Sequence, residues 1–250
     1  MAMPVHIRSQ CMLVIAAILA MTFAVAAQNV PDYAAIIAAP DRRDADRDID
    51  KRRDPEKLLA FTGARPGMKV LDMGAGGGYS TELMARAVAP NGMVYGQNVP
   101  NPSQKSKAIF DERMKTPAMK SVTPLFRPFD DPTPPEVRDL DLITFFFFYH
   151  DVTYMEVDRA AMNKKLFSAL KPGGVLVIAD HSAAAGAGTG VGKSLHRIEE
   201  VALRREVEAA GFKLVGEADF LRRPGDTRDF PSTRPTGPVD EFVLKFQRPN

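Results

Sequence analysis

Histidines and carboxylates directly follow two strongly apolar runs of the chain. The run that ends in FFFF leads into Tyr149, His150 and Asp151, and the run GGVLVIAD ends in Asp180 and His181. Histidine titrates near neutral pH, so His150 is suited to take a proton from a nucleophile. We predict Tyr149, His150 and Asp151 as candidate catalytic residues. A purely structural hydrogen bond by His150 is the alternative, and the sequence leaves both open.

The same histidines and acids, together with the later His196, could converge at one edge of the sheet and raise the possibility of a metal site. Imidazole nitrogens and carboxylate oxygens are suitable ligands for transition metals. However, the histidines are not spaced as in HxH or HExxH, the spacings that place two ligands on one strand or one helix face. We therefore predict no metal site.

A glycine-rich segment, LDMGAGGGYSTEL, provides a different kind of site. It places Gly74, Gly76 and Gly78 after a short apolar run, with Asp72 at the end of that run. Glycines allow a tight turn and a close approach of the backbone to a ligand. A dinucleotide-binding fingerprint counted from Gly74 would need a small residue where Tyr79 stands. The pattern therefore disfavours NAD and FAD.

A second glycine-rich stretch, AGAGTGVGKSLH (residues 185–196), ends like a phosphate-binding P-loop. The P-loop pattern requires glycine at position 187, which is alanine here. We interpret residues 182–192 as a flexible connection and a candidate lid. Ser194 is the predicted N-cap of a helix over residues 194–211.

Strands and helices alternate along the segments that must position these residues. Apolar runs such as MKVLDMG, LDLITFFFFY and GGVLVIAD are separated by amphipathic stretches such as STELMARAVAP and YMEVDRAAMNKKLFSAL. This alternation predicts an α/β fold with a parallel sheet covered on both faces. Such sheets bind ligands at the carboxyl ends of their strands, where the candidate residues fall.

Three motifs in order resemble the class I S-adenosylmethionine-dependent methyltransferases. VLDMGAGGGYSTEL resembles motif I, DLITFFFFYHD the fourth strand, and ALKPGGVLVIAD the lead into the fifth strand, across roughly residues 55 to 250. The resemblance implies a Rossmann-like, doubly wound seven-stranded sheet, mostly parallel, with the last strand antiparallel between its neighbours. RRDPEKLLAFTGARPGMKV and FYHD further resemble a group of exported bacterial proteins regarded as methyltransferases.

The resemblance also implies roles for single residues. Asp72 and the three glycines at 74, 76 and 78 would hold the methionine part of S-adenosylmethionine, and the end of the second strand would hold its ribose. That strand ends in Asn98, where the family usually has an acid, and an amide oxygen accepts a hydroxyl without charge assistance. In the loop after the third strand, Asp130, or Asp131 beside it, would accept from the adenine amine while Phe129 packs on the ring. A solvated loop acid is the alternative for either aspartate.

The predicted function is methyl transfer from S-adenosylmethionine to a small-molecule substrate. The alternative is an exported, non-catalytic binding protein on the same fold, with a cofactor site weakened at Asn98. A net charge of +2, from 33 basic and 31 acidic residues, gives no argument for a nucleic-acid partner. The arginine- and proline-rich segment 219–239 would cap the pocket or lie solvated, and the sequence does not decide between them.

The N-terminal part of the chain divides into two regions before the methyltransferase-like domain at residues 55–250. Residues 1–27 have a short basic region, an apolar run and small residues at a cleavage site, which predicts a cleaved signal peptide and export to the periplasm. An uncleaved membrane anchor is the alternative, and no stable membrane association is expected otherwise. Residues 28–54 are predicted to form an arm and a charged helix with a solvated face.

Overall fold

A seven-stranded sheet forms the centre of the molecule in the computed structural model, which describes residues 30–250. The predicted signal peptide lies outside the described residues. Asp32–Asn250 form one unit. Within the described part, no helix is both long and apolar enough to cross a membrane.

The sheet has the strand order β3-β2-β1-β4-β5-β7-β6. β7 runs antiparallel to both of its neighbours, whereas the other pairs are parallel. The predicted fold class is therefore confirmed, including the antiparallel last strand. The strands are β1 (Lys69–Met73), β2 (Met93–Asn98), β3 (Val122–Phe126), β4 (Leu140–Phe146), β5 (Leu170–His181), β6 (Lys213–Ala218) and β7 (Glu241–Gln247).

Helices cover both faces of the sheet because successive side chains of the central strands point to opposite sides. In β1, for example, Val70 joins one buried apolar cluster and Leu71 joins the other. Helices α3 and α4 contribute to the first cluster, and α6 and α8 to the second. The helices are α1 (Tyr33–Ala38), α2 (Asp44–Arg53), α3 (Pro55–Thr62), α4 (Tyr79–Val88), α5 (Gln104–Met114), α6 (Arg159–Ala169), α7 (Gly192–Leu195) and α8 (Glu200–Ala209).

The helix predicted over residues 194–211 is interrupted, so that prediction was wrong in its first part. α7 ends at Leu195, and His196 adopts a left-handed conformation with φ of 50°. The buried Ile198 then pairs with the end of β5, because its N–H donates to the carbonyl of His181 at 3.0 Å. Since Ile198 gains a ladder partner and a core position, the helix resumes only at Glu200. Ser194 makes no N-cap hydrogen bond for α8.

The charged segment before the domain forms the predicted helix, α2, but its face is only partly solvated. Asp46 is buried and receives two hydrogen bonds from Arg113 of α5, at 2.7 and 2.9 Å. The same guanidinium contacts the buried carboxylate of Glu82 on α4. α2 therefore packs onto the helices that flank the glycine-rich segment.

Candidate cofactor and catalytic site

The glycine loop, defined as residues 74–78, joins β1 to α4. Gly74, Gly76 and Gly78 all have positive φ, at 65°, 55° and 82°. Residues with a side chain rarely adopt a positive φ, which explains why glycine stands at these three positions. A Cβ atom at Gly76 would meet only the Gly74 carbonyl oxygen, at 3.9 Å. The loop therefore leaves space beside Gly76 for a ligand to approach the backbone.

Asp72 fixes the flanks of this loop. Its carboxylate is fully buried and accepts hydrogen bonds from Ser80 at 2.8 Å, Thr81 at 2.7 Å and Thr144 at 2.8 Å. Burial raises the pKa of the Asp72 carboxyl, and the three hydroxyls only partly oppose that rise. A carboxylate offers about four acceptor positions, so most of its capacity is used within the protein. Asp72 thus links the end of β1 to the start of α4 and to β4, which fixes both ends of the glycine loop.

The end of β2 holds the loop from the other side. The N–H of Gly74 donates to the side-chain oxygen of Gln97 at 3.0 Å, and the N–H of Gly76 donates to that of Asn98 at 2.9 Å. The amide nitrogen of Asn98 also donates to the Gly76 carbonyl, at 3.3 Å. An amide oxygen has two lone pairs, so Asn98 retains one for a ribose hydroxyl. An aspartate at this position could accept from the Gly76 N–H but could not donate to the Gly76 carbonyl, since an ionised carboxylate has no donor.

Three aromatic rings lie beside the glycine loop. Phe129 stacks on Phe148 with ring centroids 5.3 Å apart and on Phe145 at 6.0 Å. The Phe148 ring lies only 3.3 Å from where a Cβ of Gly74 would be. Phe129, which the resemblance assigns to adenine packing, is itself buried, so the structure leaves no face of its ring open to a ligand. The half-buried Phe148 is the ring of this group that is accessible beside the loop.

The two acids of the RPFDD segment are not equivalent. Asp131 pairs with Lys165 at 2.9 Å and with Arg127, and these positive charges hold the pKa of Asp131 below its usual range. Asp130 is half-buried and makes no side-chain hydrogen bond among the described residues. Asp130 is the acid whose acceptors remain available to a ligand.

Tyr149 does not join the other two candidate catalytic residues. Its side chain is fully buried, its hydroxyl donates to Glu206 at 3.0 Å, and it accepts from Asn163 at 2.8 Å. Both partners belong to helices α6 and α8, which cover one face of the sheet. Burial raises the pKa of Tyr149 further, so the hydroxyl stays protonated. These contacts give Tyr149 a structural role.

His150 lies between two carboxylates. Its Nδ1 is 2.6 Å from Asp180 Oδ1, and its Nε2 is 3.2 Å from Asp151 Oδ1. Burial alone would lower the pKa of His150, but the two carboxylates outweigh it and raise the pKa to about 10. Both ring nitrogens therefore face carboxylates, which favour the charged, doubly protonated form of the ring. This geometry favours the structural alternative for His150 over a free general base.

The other two described histidines lie next to His150, at the edge of the sheet where the sequence suggested that they could converge. His196 Nδ1 lies 3.0 Å from Asp151 Oδ1, and the His150 and His196 rings are 5.6 Å apart. The His181 ring is 5.4 Å from that of His150, and its Nδ1 lies 2.9 Å from Glu241, outside hydrogen-bond geometry. Only the fold brings these residues together, because they come from the exits of β4 and β5 and from the end of α7.

Arg53 is a site residue that the sequence analysis missed. Its guanidinium lies 4.5 Å from the centre of the Phe147 ring and 5.3 Å from that of Tyr79. Burial lowers the pKa of Arg53, yet arginine remains charged at neutral pH. The charge-rich composition of α2 gave no signal that this arginine packs between the β4 exit and the start of α4.

The comparison with protein families decides how these features are interpreted. The model of the methyltransferase domain matches residues 43–217, which include the glycine loop, the β4 exit and α2. The chain belongs to the methyltransferase domain family.

Solved structures of this methyltransferase fold are similar over most of the chain. A SAM dependent methyltransferase from Aquifex aeolicus is 20% identical, covers 86% of this chain and 98% of its own, and has a TM-score of 0.59. The [4+2]-cyclase SpnF is 17% identical over 82% of this chain and 81% of its own, with a TM-score of 0.58. The glycopeptide N-methyltransferase MtfA, complexed with sinefungin, is 13% identical over 80% and 87%, with a TM-score of 0.57. No curated protein matches the sequence.

Identities this low establish the fold and leave the reaction open. The presence of a cyclase among these structures illustrates that one fold supports different chemistries. The function must therefore be argued from the site.

Proposed function

We propose that this methyltransferase family member transfers the methyl group of S-adenosylmethionine to a small-molecule substrate. The observation that carries the proposal is the glycine loop, with positive φ at three glycines and open space beside Gly76. Its place after β1, in a chain matched by the methyltransferase domain model, is where the cofactor of this family is expected. The complex of MtfA with sinefungin, an analogue of S-adenosylmethionine, supports the choice of cofactor.

Each part of the proposed cofactor site has a physical task. The glycine loop brings its backbone against the methionine part, and Asn98 accepts one ribose hydroxyl with its remaining lone pair. The half-buried Phe148, with the buried Phe129 stacked on it, presents an aromatic face to adenine, and Asp130 presents an acceptor. The bound cofactor supplies a methyl group activated on a sulfonium sulfur. The protein contributes alignment and exclusion of water rather than covalent chemistry.

The proposed position for the methyl acceptor is the edge of the sheet beyond β4 and β5. Asp151 lies at this edge with 17% of its side chain exposed, whereas that of His150 is 3% exposed. Asp151 is therefore the group of this cluster that contacts a substrate, and His150 positions it. Asp180 in turn orients the His150 ring.

The non-catalytic alternative rests on Asn98, since a site without charge assistance at the ribose binds its cofactor more weakly. It shares the fold and the family with the main proposal. The two differ in whether S-adenosylmethionine is bound at all. Binding is therefore measured before activity.

Export to the periplasm also remains a proposal. It rests on the order of basic, apolar and small residues within residues 1–27. Cleavage would release a protein without stable membrane association, and an uncleaved segment would anchor it.

The test compares two glycine substitutions, both at positive φ. Gly76→Ala introduces a methyl group at φ of 55° into the proposed cradle. Gly67→Ala, the control, introduces one at φ of 86° where no atom lies within 4 Å, before β1 and so at the opposite end of that strand from the glycine loop. Thermal shift with S-adenosylmethionine and S-adenosylhomocysteine is measured for the wild type and both variants.

We expect the ligands to stabilise the wild type and Gly67→Ala equally. In Gly76→Ala the shift should be lost or the midpoint ligand concentration raised at least tenfold. Equal shifts in all three proteins would remove the glycine loop from the cofactor site. The absence of a shift in the wild type would support the non-catalytic alternative.

A further inference from the structure

We propose that His150, Asp151 and His196 form a binding site for a divalent first-row transition metal ion, with Zn²⁺ as the reference ion. One ligand atom from each residue lies within 4.8 Å of the other two. The proposal does not depend on the methyltransferase function, because it concerns metal binding by the chain itself. It replaces the prediction from sequence that no metal site is present.

The distances within the cluster are close to those of a coordination shell. Asp151 Oδ1 lies 3.2 Å from His150 Nε2 and 3.0 Å from His196 Nδ1. Zinc bonds of ~2.0–2.2 Å in a tetrahedron place neighbouring ligand atoms roughly 3.3–3.6 Å apart. An ion at the centre would replace the contacts of the two rings and of the Tyr154 hydroxyl with Asp151 Oδ1 and displace the proton on His150 Nε2, with a small outward shift of the three side chains.

Asp180 orients His150 for this task. Asp180 Oδ1 hydrogen-bonds to His150 Nδ1 at 2.6 Å, so the other ring nitrogen, Nε2, points toward the cluster. The Asp180 carboxylate is itself fixed, because it is fully buried and accepts the backbone N–H groups of His150 and His181, each at 2.8 Å. A carboxylate behind a ligating histidine is a recurrent arrangement at metal sites, where it sets the tautomer and the ring orientation.

His196 has a left-handed backbone conformation, with φ of 50°, which is unfavourable for a residue with a side chain. Two hydrogen bonds maintain it. The His196 N–H donates to the Gly192 carbonyl at 3.0 Å, and the Ser232 hydroxyl donates to the His196 carbonyl at 2.8 Å. Gly192 also packs tightly on the β4 exit, since a Cβ there would lie 2.1 Å from Thr153 Oγ1. Local strain of this kind is typically retained at functional sites. Here it turns His196 toward Asp151.

The cluster has an open side. His150 and Asp180 are buried, but the side chains of His196 and Asp151 are 29% and 17% exposed. Three protein ligands with a solvent-facing gap resemble a site that keeps a position for water or substrate. Two imidazoles and one carboxylate suit zinc and its first-row neighbours better than calcium or magnesium.

The decisive experiment is a titration of the metal-free protein with Zn²⁺ and Co²⁺. Calorimetry gives the stoichiometry and affinity, and the visible absorption of Co²⁺ reports a low-symmetry nitrogen and oxygen site. His196→Asn is the test variant, because asparagine tolerates the left-handed conformation. His181→Gln is the matched control, a histidine of the same region outside the ligand set.

We expect one metal ion per chain, unchanged stoichiometry in His181→Gln, and an affinity at least 100-fold lower in His196→Asn, since even indirect partners cost about 10–100-fold. Circular dichroism shows whether each variant is folded. The absence of one-to-one binding in the wild type would overturn the proposal. An affinity unchanged in folded His196→Asn would do the same. Neither result bears on S-adenosylmethionine binding.

Discussion

At the scale of single residues, the end of β2 is the most informative position. The sequence singled out Asn98 only as a departure from the family's acid. In the structure, the Asn98 amide serves the glycine loop through both its oxygen and its nitrogen. An amide therefore has a structural reason to be there, because an ionised carboxylate could satisfy only one of the two Gly76 groups.

Asn98→Asp tests whether this residue also meets the ribose. The carboxylate keeps the bond from the Gly76 N–H and adds charge assistance toward a hydroxyl, which is worth about 1 kcal/mol. We expect S-adenosylmethionine to bind up to about tenfold more tightly by calorimetry. Asn101→Asp adds the same charge at an exposed residue nearby and should leave the affinity unchanged. If Asn98→Asp behaves like this control, Asn98 does not contact the cofactor.

At the scale of elements, α2 and the segment 219–239 are packed into the protein interior to a greater extent than their charged compositions suggest. Both are rich in charge, and a sequence cannot show which charges are buried. Asp46 of α2 meets Arg113 in the interior. In segment 219–239, Asp226 pairs with the fully buried Arg197 at 2.6 Å. These buried ion pairs hold each element against the segments next to the candidate site.

Arg113→Met tests the contribution of α2. The substitution keeps the shape of the stem but leaves Asp46 buried without its positive partner, whereas Glu82 keeps its ion pair with Arg86. Loss of one partner from a buried ion pair costs about 3–5 kcal/mol. We expect a decrease of that size in the free energy of unfolding, measured with urea.

Lys115→Met provides the comparison, because Lys115 pairs with Glu112 on the surface. Exposed pairs contribute up to about 1 kcal/mol, so this change should be small. A loss in Arg113→Met no larger than in Lys115→Met would show that the buried cluster does not stabilise α2.

Asp226→Asn tests how segment 219–239 is fastened, through pH. Burial would raise the pKa of Asp226, but the N–H groups of Asp240 and Arg228 and the Arg197 guanidinium outweigh it, so the pKa is lowered. The stabilisation is therefore present above the unfolded value of about 3.9 and is lost as the pH falls through the folded pKa. Asp226→Asn should be about 1–3 kcal/mol less stable than the wild type at pH 7.

The difference in the free energy of unfolding between the wild type and Asp226→Asn should become smaller as the pH falls below about 4. Urea unfolding at several pH values measures it, and Asp229→Asn, an exposed acid in the same segment, should differ little from the wild type throughout. A gap between Asp226→Asn and wild type that does not change with pH would contradict the assignment.

At the scale of the whole molecule, the sequence predicted the α/β architecture and the edge of the sheet at which the histidines could converge, but not their contacts. Apolar runs and glycines predict alternating strands and helices because these features are local and periodic. The seven-stranded sheet with its antiparallel last strand was implied by the resemblance to the methyltransferases and not by these patterns. The break at His196 could not be predicted in this way, since it depends on Ile198 pairing with the distant end of β5. For the same reason the spacing of the histidines gave no indication that the His150 and His196 rings both lie beside Asp151.

The proposed export makes a prediction about the whole chain. Expressed with residues 1–27 in a Gram-negative host, the protein should be recovered from the periplasm, cleaved after Ala26 or Ala27. Since Cys11 is the only cysteine, the mature protein should contain no thiol. Intact-mass measurement and a thiol assay check both points. A periplasmic or membrane fraction that retains the full mass would indicate an uncleaved anchor.

Binding of S-adenosylmethionine at the glycine loop is the basis of the proposed function, and calorimetric titration of the purified protein with S-adenosylmethionine measures it. We predict saturable heat with one site per chain, and competition by S-adenosylhomocysteine for that site. No heat and no change in melting temperature at millimolar ligand would show that the chain does not bind this cofactor.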